Sequence, residues 1–213
     1  GPAGIFAALT LARAGLKPLV LERGRDVDAR TKDVNLFFSK SILDETSNVQ
    51  FGEGGAGTFS DGKLTTGIKS TLCRKVFLEF FAHGAPEEIL YSGKPHIGTD
   101  RLPGIIKNMR EEIISLGGEV KFEAKLTDII VYNSSIQGVT YEEKGRSIDF
   151  ETDTVILAIG HSARDTVKML YRKGIQMIKK PFSVGARIEH PREMIDKSQY
   201  GSFAGHKALG AAD

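Results

Sequence analysis

With one cysteine, no tryptophan and no long apolar run, this chain of 213 residues is limited first by what it does not contain. A single thiol, Cys73, excludes an internal disulfide and any CxxC dithiol chemistry; it fits a reducing compartment, so a cytoplasmic location is expected. No stretch approaches the roughly 18 apolar residues that a membrane-spanning helix needs. An excess of one charge is also lacking. The 29 Lys+Arg against 27 Asp+Glu leave +2, too balanced to argue for nucleic acid or a membrane surface, and neither is expected as a partner. The histidines and acids show no metal-ligand spacing, so no metal is expected. There is no internal repeat and no low-complexity tract. With 40% apolar residues the chain can bury a core, and its length suits one large domain or one and a half.

Glycine is plentiful, at 24 residues, and it gathers in two places. The first is the opening, Gly1-Pro-Ala-Gly4, followed by Ile5, Ala8, Leu9 and Ala12 at the i, i+3, i+4, i+7 spacing of one helix face. Gly15 suits a left-handed helix end. Leu19, Val20 and Leu21 form the short, wholly apolar run of a strand covered on both sides, and Glu22 stands at its tip. Glycines at a helix mouth let backbone N–H groups approach a pyrophosphate, and the helix dipole meets its charge. An acid about 20 residues further on can bind a ribose hydroxyl and disfavours a 2′-phosphate. Gly1 and Gly4 stand for the second and third glycines of G-x-G-x-x-G. The first glycine and its strand are absent, and a fragment cut inside the motif is expected.

The second gathering places glycines at 52, 54, 55, 57 and 62, within Phe51-Gly-Glu-Gly-Gly-Ala-Gly-Thr-Phe-Ser-Asp-Gly-Lys-Leu64. Ordering so much glycine is unfavourable except where backbone must approach a ligand closely. Phe51, Phe59 and Leu64 are badly suited to a solvated loop, and Lys63 can face an anion, so the stretch is placed over a cofactor. Between the two gatherings, residues 25–48 read as a loop and a short helix around Val34 to Lys40. Arg30 reads equally as a solvated arginine or as a charge reaching back to the pyrophosphate.

Helices are expected over Ser70–His83, with Ser70 as N-cap and Val76, Phe77, Phe80 and Phe81 inward, and over Pro86–Leu90. A third, capped by Asp100, carries the stripe Leu102, Ile105, Ile106, Met109, Ile113 and Leu116, and Gly117-Gly118 ends it. His83 reads as a dipole contact at a helix end, and His96 as a solvated loop residue or a substrate contact. From Glu119 the period becomes two. Val120–Phe122 is a short strand, and Thr127–Tyr132, Ser135–Glu142 and Arg146–Glu151 form an antiparallel meander turning at Asn133-Ser134 and Lys144-Gly145. Val155–Gly160 reads as a buried parallel strand, a helix ends near Lys168–Leu170, and Pro181–His190 reads as a strand. Residues 191–213 are polar and show no closing element.

A nucleotide turn, a meander and an apolar strand ending Ala158-Ile-Gly160, in that order, resemble the FAD-binding domain of the glutathione-reductase-like flavoproteins. Ile159 stands where that signature has threonine. Leu21-Glu-Arg-Gly24, the 51–64 stretch, Lys94-Pro-His-Ile-Gly-Thr-Asp100, Ala158-Ile-Gly-His-Ser-Ala163 and Pro181-Phe-Ser-Val-Gly-Ala-Arg-Ile-Glu-His190 are similar to a family of bacterial NAD(FAD)-utilising dehydrogenases, essentially end to end. The resemblance implies an α/β fold: a Rossmann-like parallel sheet with an antiparallel β-meander, its first strand missing, plus part of a substrate layer. It implies an FAD-binding domain over 1–170, with inserted helices over 70–116, and the start of a substrate region over 171–213. Intact members are expected at about twice this length.

By the same resemblance Gly1, Pro2, Ala3 and Gly4 meet the pyrophosphate, Glu22 the adenosine ribose and Arg23 the adenine edge. Gly54, Gly55, Gly57, Thr58 and Lys63 lie along pyrophosphate, ribityl chain and flavin, with Asp61 orienting Lys63. Leu126 offers backbone to the adenine, and Ala158, Gly160 and His161 close over the nucleotide. FAD is the expected cofactor, NAD(P)H a candidate reductant, and the substrate a small molecule of unknown identity. No catalytic acid or base is identified. Two other readings stand beside this one: an NAD enzyme without flavin, and a flavin-binding module of a larger assembly such as an RNA-modifying complex. The 213-residue chain alone is expected to retain FAD weakly or not at all and to be inactive.

Overall fold

Helix α1 (Pro2–Arg13) opens on Pro2, whose fixed φ and missing N–H suit a first turn, and buries Ile5, Ala8, Leu9 and Ala12. In the computed structural model the chain is described throughout except at Asp61, Thr99, Arg187 and Asp213. It divides into two units, Gly1–Gln176 and Met177–Asp213.

The first unit is built on α1 packed against α4 (Leu102–Ser115). Ile5, Ala8 and Leu9 meet Leu102, Ile105, Ile106, Met109 and Ile113, and Phe80 of α3 (Leu72–Ala82) completes the cluster. Phe6 and Phe80 meet edge to face with ring centroids 5.4 Å apart. Each large apolar side chain buried here contributes about 1.5–3 kcal/mol relative to exposure. At the outer end of the same three helices, Arg13 binds Glu79 at 2.8 Å and Glu112 at 2.6 Å. His83 bonds the Glu79 carbonyl through Nδ1 (2.6 Å) and Glu112 through Nε2 (2.8 Å), so it ties a helix end rather than a ligand.

After α1 the chain turns at Gly15 and enters β1 (Leu19–Leu21), which pairs in parallel with β2 (Glu119–Lys121), Val20 opposite Val120. The two faces of β1 serve different cores. Val20 packs on the α1–α4 cluster, while Leu21 packs on a second cluster of Ile129, Val139 and Leu170. That second cluster joins the antiparallel sheet β3 (Ala124–Tyr132), β4 (Ser135–Glu143) and β5 (Arg146–Glu151) to α5 (Arg164–Arg172). Asn133 and Ser134 both take positive φ, as do Lys144 and Gly145, the twist that two-residue hairpins require. The fold is therefore mixed α/β, with a parallel and an antiparallel sheet.

Several expected elements differ. The helix expected over Val34–Lys40 is α2 (Val27–Lys40), started by Asp26, whose carboxylate accepts from the N–H groups of Asp28 and Ala29. Helix α3 begins at Leu72, with Ser70 Oγ accepting from Leu72 N–H, and Phe81 on its far side is exposed. Arg101 rather than Asp100 holds the N-cap position of α4, and Leu116, just past its end, is exposed. Residues 155–160 form no strand. A strand needs a neighbour to take its backbone groups, and among the described residues none lies in ladder with this run. Val155 and Ile159 lean on the second cluster while Ile156 and Leu157 face outward, 57% and 41% exposed.

In the second unit no strand forms among the described residues of 181–190, which are exposed. The tail is not without structure, for α6 (Arg192–Tyr200) is followed by a 3₁₀ turn over Gly201–Phe203. Asp196 of α6 accepts from Ala212 N–H at 2.8 Å, which folds the tail back on its own helix. Among the described residues, no helix is long and apolar enough to cross a membrane. No group of three or more His, Cys, Asp or Glu among them is placed to hold a metal ion.

Candidate nucleotide site

The tip of β1 is where the two glycine stretches meet. Glu22 continues the parallel ladder, its N–H donating to the Lys121 carbonyl at 2.9 Å. Its carboxylate then reaches across the chain: Oε1 accepts from Gly24 N–H at 3.0 Å and from Gly52 N–H at 3.1 Å. Oε2 lies 3.5 Å from the Gly1 nitrogen, so the acid stands at the mouth of α1. The backbones of Gly24 and Gly52 touch, and a Cβ on Gly24 would lie 2.5 Å from Gly52 Cα. Gly55, at φ 69°, approaches the α1 mouth so closely that its own Cβ would lie 2.9 Å from Gly1 Cα. Ala158 closes the other side, its Cβ 3.5 Å from where a Cβ on Gly4 would be.

The positive end of the α1 dipole faces this mouth, with the Glu22 carboxylate at one side of it. Pro2 and Ala3 are exposed and Gly4 half-buried, so solvent reaches the first turn of α1, whose N–H donors start at Ala3 because Pro2 has none. No acid occupies that first turn.

Beneath the glycines lies a charged layer. Arg30, from α2, is 0% exposed, which overturns its reading as a solvated arginine. Nε donates to the Asn48 carbonyl at 2.8 Å, Nη1 donates to the Glu53 carbonyl, and the guanidinium lies 4.8 Å over the Phe59 ring. Nη2 is buried and has no hydrogen-bond partner among the described residues. Burial lowers the Arg30 pKa to about 10, against the pull of Glu22 and Glu53, so the group keeps its charge at neutral pH. Thr58 is buried beside it, with Oγ1 donating to the Glu53 carbonyl at 3.3 Å. The packing at Gly54 is similarly tight, against Thr58 and Ile106.

Other expected residues sit differently. Arg23 is committed to protein groups: Nη2 donates to Asp165 at 2.8 Å and Thr166 at 3.2 Å, and the guanidinium stacks 4.5 Å over Phe51. Leu126 lies in β3 opposite Tyr141, its side chain on the second apolar cluster. The residues that bond the Glu22 turn are Glu123 and Ala124, whose N–H groups donate to the carbonyls of Gly24 and Glu22, both at 2.9 Å. Lys63 is exposed and pairs by backbone with His96 in an isolated antiparallel bridge. Gly57 lies on the exposed side of a 3₁₀ turn over Ala56–Phe59, and Gly160 and His161 are exposed in a turn. Asp61 lies outside the described residues.

Glu53 was missed by the sequence reading. It is 4% exposed, its Oε2 accepting from Val27 N–H at 2.7 Å and standing 3.3 Å from Arg110 Nη1 of α4. Only its place beside the glycines offered a signal, because its partners lie far along the chain.

Known proteins give three points of comparison. Residues 181–213 match a family described as FAD-dependent protein, C-terminal domain-like. Over all its 213 residues the chain is 54% identical to an uncharacterized protein of Clostridium beijerinckii, and it spans 39% of that protein's length. The crystal structure of Thermovibrio ammonificans THI4 is similar with a TM-score of 0.52 and 15% sequence identity, over 83% of this chain and 60% of that one. That last likeness is one of fold.

Proposed function

We propose that this chain holds the adenosine diphosphate part of FAD in an FAD-dependent oxidoreductase, a dehydrogenase acting on a small-molecule substrate with NAD(P)H as a candidate reductant. The observation that carries the reading is the closure of Gly55 on Gly1 with the Glu22 carboxylate at the same helix mouth. A pyrophosphate requires backbone donors, no intervening side chains and a compensating positive charge. The touching glycines, the open first turn of α1 and the buried Arg30 with its unused N–H fit those needs. The match of residues 181–213 to a FAD-dependent family and the fold likeness support the same reading.

In this reading Gly1, Pro2, Ala3, Gly4, Gly54, Gly55 and Gly57 hold the pyrophosphate, with Arg30 balancing charge beneath the loop. Glu22 has already given Oε1 to two backbone N–H groups, which leaves Oε2 for a ribose hydroxyl. The backbone near Leu126 is assigned to the adenine, while Arg23, held by Asp165, Thr166 and Phe51, is assigned only to shape that edge. Lys63 is assigned to the flavin side of the loop, with the buried Thr58 supporting the loop through the Glu53 carbonyl, and Ala158, Gly160 and His161 are assigned to cover the nucleotide. Bound flavin supplies two-electron hydride chemistry, while the protein supplies position and electrostatics. No side chain of this chain is assigned as a general acid or base.

The test is the absorbance spectrum of the full-length protein, followed by anaerobic addition of NADH, NADPH and candidate substrates. A flavin spectrum that bleaches on reduction is expected. A colourless protein that binds neither ADP nor FAD would sink the reading, and one that binds NAD but no flavin would move it to the plain NAD class.

A further inference from the structure

Besides Glu22, which accepts from Gly52 N–H, the buried carboxylate of Glu53 ties down the glycine-rich loop. Glu53 sits between Gly52 and Gly54, its N–H donating to the Arg25 carbonyl at 3.0 Å. Its side chain leaves the loop and spans two helices, accepting from Val27 N–H in the first turn of α2 and pairing with Arg110 of α4, which itself stacks 5.3 Å over Phe122. Its main-chain carbonyl takes Arg30 Nη1 and Thr58 Oγ1. Glu53 thus ties the loop to α2 and α4 through its side chain and to Arg30 and Thr58 through its carbonyl.

The charged surroundings are unevenly matched. Arg110 and Arg30 favour a carboxylate. Asp26 and Asp28 at the start of α2 oppose one, with Lys107 of α4 drawn off to Asp28 at 2.8 Å and Glu22 drawing on Arg30 from the tip of β1. One oxygen, Oε1, is buried with no hydrogen-bond partner among the described residues. An ionised carboxylate with an unsolvated oxygen is penalised, and a proton removes that penalty without disturbing Oε2.

We propose that Glu53 is the positioning residue of the nucleotide loop, and that seating the loop against α1 takes up a proton from solvent on the Glu53 carboxyl. This rests on the reading of the loop as a nucleotide contact only for its consequence, tighter nucleotide binding. The direction agrees with burial, which outweighs Val27 N–H and Arg110 and raises the carboxyl above its ordinary value. A group whose seated form has the raised value binds more protons when seated, so the seated loop gains as pH falls through that value and loses as pH rises above it.

The experiment uses the full-length protein, wild type, Glu53→Gln and Glu53→Ala, from about pH 4, near the ordinary glutamate value, upward to about pH 8. Amide hydrogen exchange of residues 53–58 is corrected for intrinsic rates. Wild-type protection is expected to rise as pH falls, by at most about tenfold per pH unit. Glu53→Gln imitates the protonated carboxyl, so its protection should be independent of pH and match the wild type at the acid end. Glu53→Ala, which loses the acceptor for Val27 N–H, should be unprotected throughout. Titrations with ADP and FAD on the same proteins should follow the same order. A wild-type profile without pH dependence, or a Glu53→Gln profile that copies it, overturns the proposal. Failure of every protein to bind ADP or FAD rejects the nucleotide reading instead, and the exchange profiles still decide the role of Glu53.

Discussion

Gly55 lies against Gly1 with no room for a side chain between them: a Cβ on Gly55 would sit 2.9 Å from Gly1 Cα and 3.1 Å from Pro2 Cδ. Fifty-odd residues of chain separate the two, yet they form one continuous stretch of bare backbone at the mouth of α1. The Glu22 carboxylate holds it from below through Gly24 and Gly52.

Gly55→Ala should therefore do double damage. It places a Cβ at positive φ and drives it into Gly1, and a loss of about 1–3 kcal/mol is expected from strain of this kind. Nucleotide affinity should fall at least about tenfold, the equivalent of roughly 1.4 kcal/mol. Gly57→Ala is the control for stability alone, since a Cβ there meets nothing within 4 Å. Its melting temperature should stay near wild type, and equal losses in the two variants would contradict the close approach.

Glu22→Ala leaves two backbone N–H groups, those of Gly24 and Gly52, without their acceptor. Stability should drop by about 1–3 kcal/mol. Glu22→Gln keeps an acceptor oxygen and should recover most of that loss in urea denaturation while still binding ADP more weakly than wild type. Wild-type ADP affinity in Glu22→Gln would remove the carboxylate from the ribose.

Met109 is 0% exposed and belongs to the apolar cluster that joins α1 to α4. Met109→Ala should cost about 2–5 kcal/mol by leaving a cavity among Ile5, Leu9 and Ile113. The folded fraction should bind nucleotide as wild type does, because the cavity lies in the apolar core. A loss below about 1 kcal/mol in chemical denaturation would mean that the helices repack.

Asp165 carries an acid sensitivity. Burial alone would push its carboxyl up, but hydrogen bonds from Arg23 and Lys125, with help from Thr166 N–H, outweigh it and hold the group well below the usual carboxylate range. A depressed folded value means that the stabilisation is present above the ordinary carboxylate pKa and is lost as pH falls toward the folded value. Arg23→Gln should flatten the decline in unfolding midpoint between about pH 5 and pH 2. An unchanged slope in that variant would place the acid sensitivity elsewhere.

Legibility in the sequence followed the range of the interaction. The apolar stripe Ile5, Ala8, Leu9, Ala12 reads directly as a helix face, and all four residues are buried. The hairpin turns read just as directly, because Asn133-Ser134 and Lys144-Gly145 are local chemistry. Helix α2 was read short because its inward residues are Val27, Arg30 and Val34, and a charged residue in the middle of a buried face breaks an apolar pattern. Residues 155–160 have strand composition, yet composition supplies no pairing partner, and the run stays out of any sheet.

The glycine turn, the acid at position 22, the apolar stripes of α1 and α4 and the meander were thus legible in the sequence alone, since each depends on periodicity or on residues close in the chain. The tertiary structure alone decided that α1 packs on α4, that Arg30 and Glu53 are buried, with Glu53 accepting from Val27 N–H, and that Gly55 seats on Gly1. The reason is physical: burial of a charge and close approach of two backbones are set by partners brought together only when the chain folds, and no local pattern records them.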